Sequence, residues 1–256
     1  MDLGLHEKVA IVTGASRGVG RAIARALAVE GCRLSIVARG RKALDETTAE
    51  LWSRGTDVLP IVADLTIARD IEAVVQETVK QFGQIDILVH NAGGAKGQNI
   101  FDTSDEDWQE ALALNVLALS RLAKLVAPLM SKQGGGRIIA ISSIFGRESG
   151  GRTAYNALKA ASISLTKSLA HQFAPNNILV NSVAPGSLLF PGSSWDRREQ
   201  ADPEGIAAFV RSELPLGRFG TPEEVAAVVA FLASAPASLV SGACIPVDGA
   251  QSHSNI

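Results

Sequence analysis

The feature that most limits this chain is a rhythm: short β-branched apolar runs alternate with longer segments of helical period. The runs are KVAIVT (8–13), RLSIVA (33–38), DVLPIV (57–62), DILVH (86–90), RIIAIS (137–142), NILVNSV (177–183) and CIPV (244–247). Several are apolar almost throughout, as strands buried on both faces must be. Pro60 sets the third apart, because a residue without an N–H belongs nearer a sheet edge. Between the runs, Val19, Ile23, Ala26 and Leu27 form a helical stripe that stops at Gly31. Further helices are predicted near 41–53, 67–82, 104–131, 153–174 and 221–233. Ser104 with Asp107 reads as a variant capping box, and Thr221-Pro222-Glu223-Glu224 as a cap, a first-turn proline and acids against the dipole.

Such alternation specifies an α/β chain of the Rossmann type: a doubly wound, seven-stranded parallel sheet with helices on both faces. No linker or low-complexity tract divides residues 1–256, so one domain is expected. The rhythm breaks at 186–215, where LLFPGSSWDRREQADPEG reads as an inserted substrate lid. A net charge of -2, without a basic stripe, gives no reason to expect nucleic acid or an anionic membrane as partner. Cys32 and Cys244 lack metal or redox spacing and read as small buried hydrophobes. His6, His171 and His253 form no metal-ligand cluster. No signal-peptide-length or membrane-length apolar stretch is evident, so the cytoplasm is the expected location.

In a doubly wound sheet, ligands bind outside the carboxyl ends of the strands. Those ends carry Thr13-Gly14 and a glycine turn, Ala38-Arg39, Ala63-Asp64-Leu65, Asn91-Ala92-Gly93-Gly94, Ser142-Ser143 and Ala184-Pro185-Gly186. The turn TGASRGVG spaces its glycines G-x-x-x-G-x-G between a strand and a helix, which would aim backbone N–H groups at an anion. Alone it is weak evidence, since about one such turn in three only packs the helix. Tyr155 and Lys159, four residues apart, share a helix face. A phenol of reference pKa ~10 is a poor acid–base group at neutral pH. A neighbouring ammonium, joined by a cationic nicotinamide ring, would favour the phenolate. Y-x-x-x-K is often only a solvated pair, but Tyr155 is the sole tyrosine and follows Ser-Ser by a short glycine-rich loop.

With these residues in place, the chain resembles the short-chain dehydrogenase/reductase family from about residue 6 to 250. The likeness rests on T-G-x-x-x-G-x-G (Thr13 to Gly20), D-L (Asp64-Leu65), N-A-G (Asn91 to Gly93) and the helical Asn115. It continues through I-S-S-x-x-G (Ile141 to Gly146), Y-x-x-x-K (Tyr155 to Lys159) and P-G (Pro185-Gly186). The resemblance implies that Tyr155 exchanges a proton with the substrate oxygen, and that Lys159 holds the nicotinamide ribose and depresses the phenol's pKa. It implies that Ser143, rather than Ser142, bonds the oxygen where charge develops. Asn115 would hold a water linking Lys159 to solvent, or else satisfy a helix kink. Asp64 would accept from the adenine amino group. His90 is read as a strand-end residue rather than a base.

The cofactor seat implied comprises Gly14, Ser16, Arg17, Gly18, Val19, Gly20, Ala38, Arg39, Asp64, Leu65, Asn91, Ala92, Gly93, Tyr155, Lys159, Pro185, Gly186 and Leu188. NAD-preferring relatives carry an acid where Ala38 stands, whereas Arg17 and Arg39 suit a 2′-phosphate; NADP(H) is favoured, with NAD(H) the alternative. Either arginine alone would pass for a solvated side chain.

Two departures from the family pattern stand out. The interval from Ser143 to Tyr155 is twelve residues, one shorter than expected. Phe190 occupies the place of a threonine that contacts the nicotinamide carboxamide. The lid aromatics Phe190, Trp195 and Phe209 would face a partly apolar substrate or pack in an oligomer interface.

By overall look the nearest subgroup is the 3-oxoacyl-(acyl-carrier-protein) reductases. Of the two basic residues that dock the carrier there, Lys132 or Arg137 lies near one position, and Asn176 occupies the other. The expected partner is a small carbonyl or alcohol substrate, an acyl thioester among the candidates. The alternatives are a dehydrogenase of a secondary alcohol or sugar and, from another class, a silent dinucleotide-binding redox sensor. Homo-oligomerisation, as a tetramer or a dimer, is implied through the helices at 104–131 and 153–174. Leu119, Leu122, Leu125 and Leu129 supply apolar surface for it, shared with the chain's own core.

Overall fold

The computed structural model describes residues 2–255. Seven strands form one wholly parallel sheet in the order β3-β2-β1-β4-β5-β6-β7. They are β1 (Val9–Thr13), β2 (Arg33–Ala38), β3 (Val58–Val62), β4 (Ile87–His90), β5 (Gly136–Ile141), β6 (Ile178–Pro185) and β7 (Cys244–Val247). The strand carrying Pro60 lies at an edge, where its missing N–H costs no ladder bond on the outer side. Strand β6 runs two residues further than the sequence suggests, because Ala184 and Pro185 pair with Pro246 and Val247.

Successive side chains of β1 serve opposite faces, as a strand's period of two requires. Ala10 and Val12 pack with α1 (Gly18–Val29), α2 (Arg41–Trp52) and α9 (Pro222–Ala233). Ile11 packs on the other face with α3 (Ala68–Phe82), α5 (Ala118–Lys132) and α6 (Thr153–Phe173). Thr221 and Glu224 cap α9 reciprocally, and the Ser104 hydroxyl accepts from the Asp107 N–H at the start of α4 (Asp105–Leu112).

Five features depart from or refine expectation. The helix over 104–131 is not uniform: Ala113–Leu117 winds as a π-helix between α4 and α5. Leu119 and Leu122 lie wholly within the chain's own core, while Leu125 and Leu129 are partly buried against it, so only the latter pair retains any outward surface. The run Asp105–Lys132 is long and apolar enough by length and composition to cross a membrane. Its apolar side, including Leu119, Leu122, Val126 and Met130, is instead packed beneath the sheet. Cys32 is buried, but Cys244 is only half-buried. Within 186–215 the lid folds as two helices, α7 (Ser194–Ala201) and α8 (Pro203–Glu213). Ile206, Leu214 and Phe219 form a small core beneath it.

Leu119 is 0% exposed and sits where α5 meets the sheet. Leu119→Ala should therefore lower the unfolding free energy by about 3 kcal/mol, read as an earlier urea midpoint at unchanged slope.

Candidate active site

Strands β1 and β4 lie side by side, but α1 covers one face and α5 the other, so a crevice opens at their carboxyl ends. Its floor is one polar knot. The Thr13 hydroxyl accepts from the N–H groups of Asn91 (3.0 Å) and Ala92 (3.1 Å). The Asn91 amide donates to the carbonyls of Thr13 and Gly14, each at 3.1 Å. Gly14 (φ +65°) and Gly18 (φ +52°) take left-handed backbone that lets the turn fold back on the strand end. Arg17 precedes α1 without a side-chain cap, and the first turn carries no acid. The free N–H groups and the positive helix end thus suit an anion.

A cleft of about 680 Å³ runs along this edge. Gly14, Ser16, Arg17, Gly18 and Val19 line one end, with Ala38, Arg39 and Leu65 beside them. Asn91, Ala92 and Gly93 form the middle. Ser143, Tyr155, Lys159, Pro185, Gly186 and Leu188 close the other end. A dinucleotide fits this donor set: phosphate-binding backbone and guanidinium groups at one end, hydroxyl and ammonium groups at the other.

Three of the anticipated residues stand behind the surface. Gly20 backs the turn, since a Cβ there would collide with the Gly14 carbonyl oxygen. Asp64 sits between the lining residues Ala63 and Leu65. Its Oδ1 accepts from the Thr66 N–H (2.9 Å) and hydroxyl (2.8 Å), which hold the carboxyl below its ordinary pKa. Asn115 is buried in the π-helix, its amide donating to the carbonyls of Ala111 (2.8 Å) and Gly94 (2.7 Å). It therefore satisfies the helix kink. Its Oδ1 accepts from the Gly94 N–H (3.3 Å), and both it and Lys159 Nζ lie against Gly93, where an added Cβ would come within 2.7 Å of the first and 2.9 Å of the second.

The two serines after β5 separate cleanly. Ser142 donates to the Lys159 carbonyl (3.0 Å) and braces α6. Ser143 accepts from the Phe145 N–H (3.2 Å), and its hydroxyl lies near the Tyr155 phenol. Burial pushes that phenol above its ordinary pKa; the Ser143 hydroxyl and the Arg152 charge pull the other way without prevailing. Lys159 is not among the groups that shift the phenol, and with its pKa raised above the ordinary value Tyr155 keeps its proton at pH 7. Lys159 is 5% exposed, and its Nζ donates to the Ile141 carbonyl (2.8 Å) and lies 5.5 Å from the Tyr155 ring centre. Desolvation lowers its pKa to about 8. His90 accepts no catalytic role: it is buried between Thr13 Oγ1 (3.3 Å) and the Leu114 carbonyl (3.1 Å), with its pKa pushed down to about 3, first by burial and then by Lys159.

Beyond Tyr155 lies a second cavity of about 1050 Å³, and Ser143, Tyr155, Gly186, Ser194 and Trp195 line both. Trp195 stacks on Phe209 at 4.4 Å, and both line this cavity. Phe190 turns the other way, against Gly18 in the first cleft. Sequence reading missed Arg147, Arg152 and Arg198 in the second cavity and Arg197 in the first. A signal existed for Arg152, which stands one helical turn before Tyr155.

Comparison with known proteins agrees with this geometry. The family described as enoyl-(acyl carrier protein) reductase matches residues 14–250. A 3-oxoacyl-[acyl-carrier-protein] reductase of Synechocystis sp. is 37% identical over 248 residues, covering 96% of this chain and 97% of that protein. A 7alpha-hydroxysteroid dehydrogenase of Bacteroides fragilis is 38% identical over 250 residues, covering 95% and 94%. The structure of L-sorbose reductase from Gluconobacter frateurii, complexed with NADPH and L-sorbose, superposes with a TM-score of 0.94 at 35% identity, covering 99% and 100%.

The buried ammonium also gives a stability signature. An unfolded lysine titrates at 10.5 and the folded one at about 8, so the unfolded chain holds this proton more tightly. The penalty is complete below pH ~8 and vanishes as pH rises to ~10.5. Lys159→Met should be more stable than the native chain by ~1–3 kcal/mol at pH 7, with thermal melts converging across that window.

Proposed function

The chain belongs to the short-chain dehydrogenase/reductase family, and on that premise we propose that it interconverts a ketone and a secondary alcohol using NADP(H). One observation carries the reading: the cofactor cleft and the second cavity meet at Ser143 and Tyr155, which line both. When bound, the dinucleotide supplies or accepts the hydride. The protein's own residues handle the oxygen. A Tyr155 phenol that is neutral at pH 7 holds the proton that a reduced carbonyl oxygen needs. Ser143, fixed by the Phe145 N–H, aims its hydroxyl at the same point and stabilises the alkoxide as charge grows. Lys159, close behind, stabilises the phenolate left after transfer, and a water held by Asn115 would return the proton from solvent.

The finer assignments rest on less. The names of several relatives favour a 3-oxoacyl thioester as substrate. Against it, Asn176 stands where that subgroup's second cation is expected and spends its amide on Ser131 (2.8 Å). The sugar and steroid relatives keep a smaller secondary alcohol as the second reading. Exposed Leu112 and Leu117 on the 105–132 helical run support a homo-oligomer, with a tetramer the favoured form.

A carbonyl screen with NADPH and NADH in parallel tests the reaction. Tyr155→Phe should cut turnover by about 10³-fold while calorimetric NADPH binding persists. Activity preserved in this variant would overturn the mechanism, and cofactor binding without turnover of any ketone would favour the redox sensor. Cofactor choice is tested separately, because Ala38 offers no acid and Arg17 and Arg39 line the same end of the cleft. Arg17→Ala and Arg39→Ala should each weaken NADPH by about ten-fold and leave NADH affinity unchanged.

A further inference from the structure

Resting on that oxidoreductase reading, we propose that the substrate carries a carboxylate close to its reacting carbonyl, and that Arg152, with Arg198 and Arg147, holds it. All three arginines line the cavity beyond Tyr155. Arg152 precedes α6 and stands one turn before Tyr155, beside the reaction centre. Its Nη1 is anchored on the Ala95 carbonyl (2.9 Å), which leaves the remaining donors for a ligand. Arg198 comes from the lid and stacks over Trp195 at 4.8 Å. Arg147 donates to the Cys244 carbonyl (2.9 Å), and its buried Nε has no partner among the described residues.

Several arginines outside this cavity are ion-paired. Arg21, Arg25 and Arg54 share Glu50, Arg41 meets Asp45, and Arg218 meets Glu224. Among the described residues, none of the three cavity arginines lies within 4.0 Å of a carboxylate. Two acids do share the cavity lining. Glu148 spends Oε2 on the Ser252 hydroxyl (2.9 Å) and the His253 N–H (2.8 Å), and Glu213 is exposed at the rim. Three guanidiniums against two carboxylates leave one unbalanced positive charge, His253 being counted neutral. A monoanion balances that charge, whereas a dianionic phosphate would exceed it. Guanidinium forks suit a carboxylate's paired oxygens, and the Arg152 charge already reaches the phenol electrostatically. Trp195 and Phe209 cover the remaining, apolar part of the substrate.

The test reads binding without turnover. Racemic 3-hydroxy-3-phenylpropanoate, its methyl ester and 2-hydroxy-2-phenylethylphosphonate are titrated calorimetrically into the NADPH complex, where alcohol and reduced cofactor cannot react. The acid should bind about ten-fold or more tighter than the ester. Arg152→Gln should bring that ratio to about two-fold or less, and Arg198→Gln should lower it partially. Unchanged NADPH affinity in both variants shows that they remain folded. Equal or undetectable binding of acid and ester overturns the proposal, as does an acid preference that survives the double variant, or a phosphonate that outcompetes the carboxylate. Absence of this preference in the native chain alongside turnover of neutral ketones sinks only the carboxylate assignment. Absence of turnover for every carbonyl sinks the oxidoreductase reading, whatever the binding ratio.

Discussion

The Thr13 hydroxyl ties the ends of β1 and β4 together where the chain changes faces. Two N–H groups from the Asn91-Ala92 turn donate to it, and the Asn91 side chain returns two bonds to the carbonyls of Thr13 and Gly14. These backbone groups leave the sheet ladder at a buried point, and each would cost about 1–3 kcal/mol if left unsatisfied. By satisfying one another they hold the two strand ends together at the floor of the crevice. The glycine turn, the open end of α1 and the N-A-G segment take their positions from this knot. The site is thus built at a place in the sheet where polar backbone leaves its regular partners and must find others.

Legibility followed burial. Strands covered on both faces read as nearly continuous apolar runs, and the sheet's order follows once α1 and α5 lie on opposite faces. The lid was the opposite case. Helix α7 buries none of its residues, so it has no apolar stripe to detect. Its caps were nevertheless written in the chain: Ser193 accepts from the Asp196 N–H, and Asp202 from the Gly205 N–H ahead of α8. The π-helix at 113–117 leaves no mark in a hydrophobic pattern, because one extra residue per turn hardly disturbs a stripe. Asn115 was visible by its place in the family pattern, but its bond to Ala111 emerges only from the backbone.

The candidate site was legible residue by residue, and its electrostatics were not. Tyr155 and Lys159 at helical spacing suggest a phenol driven toward ionisation, yet spacing carries no information about burial. Desolvation acts on both groups and favours the neutral form of each, raising the phenol and lowering the ammonium. The phenol consequently keeps its proton. For carbonyl reduction this is the useful state, since the acid must be charged with a proton before the alkoxide forms.

The placement of cations gives the two cavities a common logic. The chain is slightly acidic overall, at -2, yet arginines line both cavities: Arg17, Arg39 and Arg197 in the first, Arg147, Arg152 and Arg198 in the second. Positive groups on either side of Tyr155 favour any step that places negative charge on its oxygen or on a substrate oxygen beside it. The same charges would disfavour the Lys159 ammonium if they lay close, but desolvation alone accounts for its shift. The arginines therefore act on the oxygens more than on the lysine. Each cavity attracts an anionic ligand, and once both ligands are bound those cations are partly neutralised. The remaining positive field at the reacting oxygen then falls to the buried Lys159, whose Nζ donates to the Ile141 carbonyl rather than to a carboxylate. In such a site binding is driven by the surface arginines, while the chemical step draws on one ammonium that the fold keeps dry.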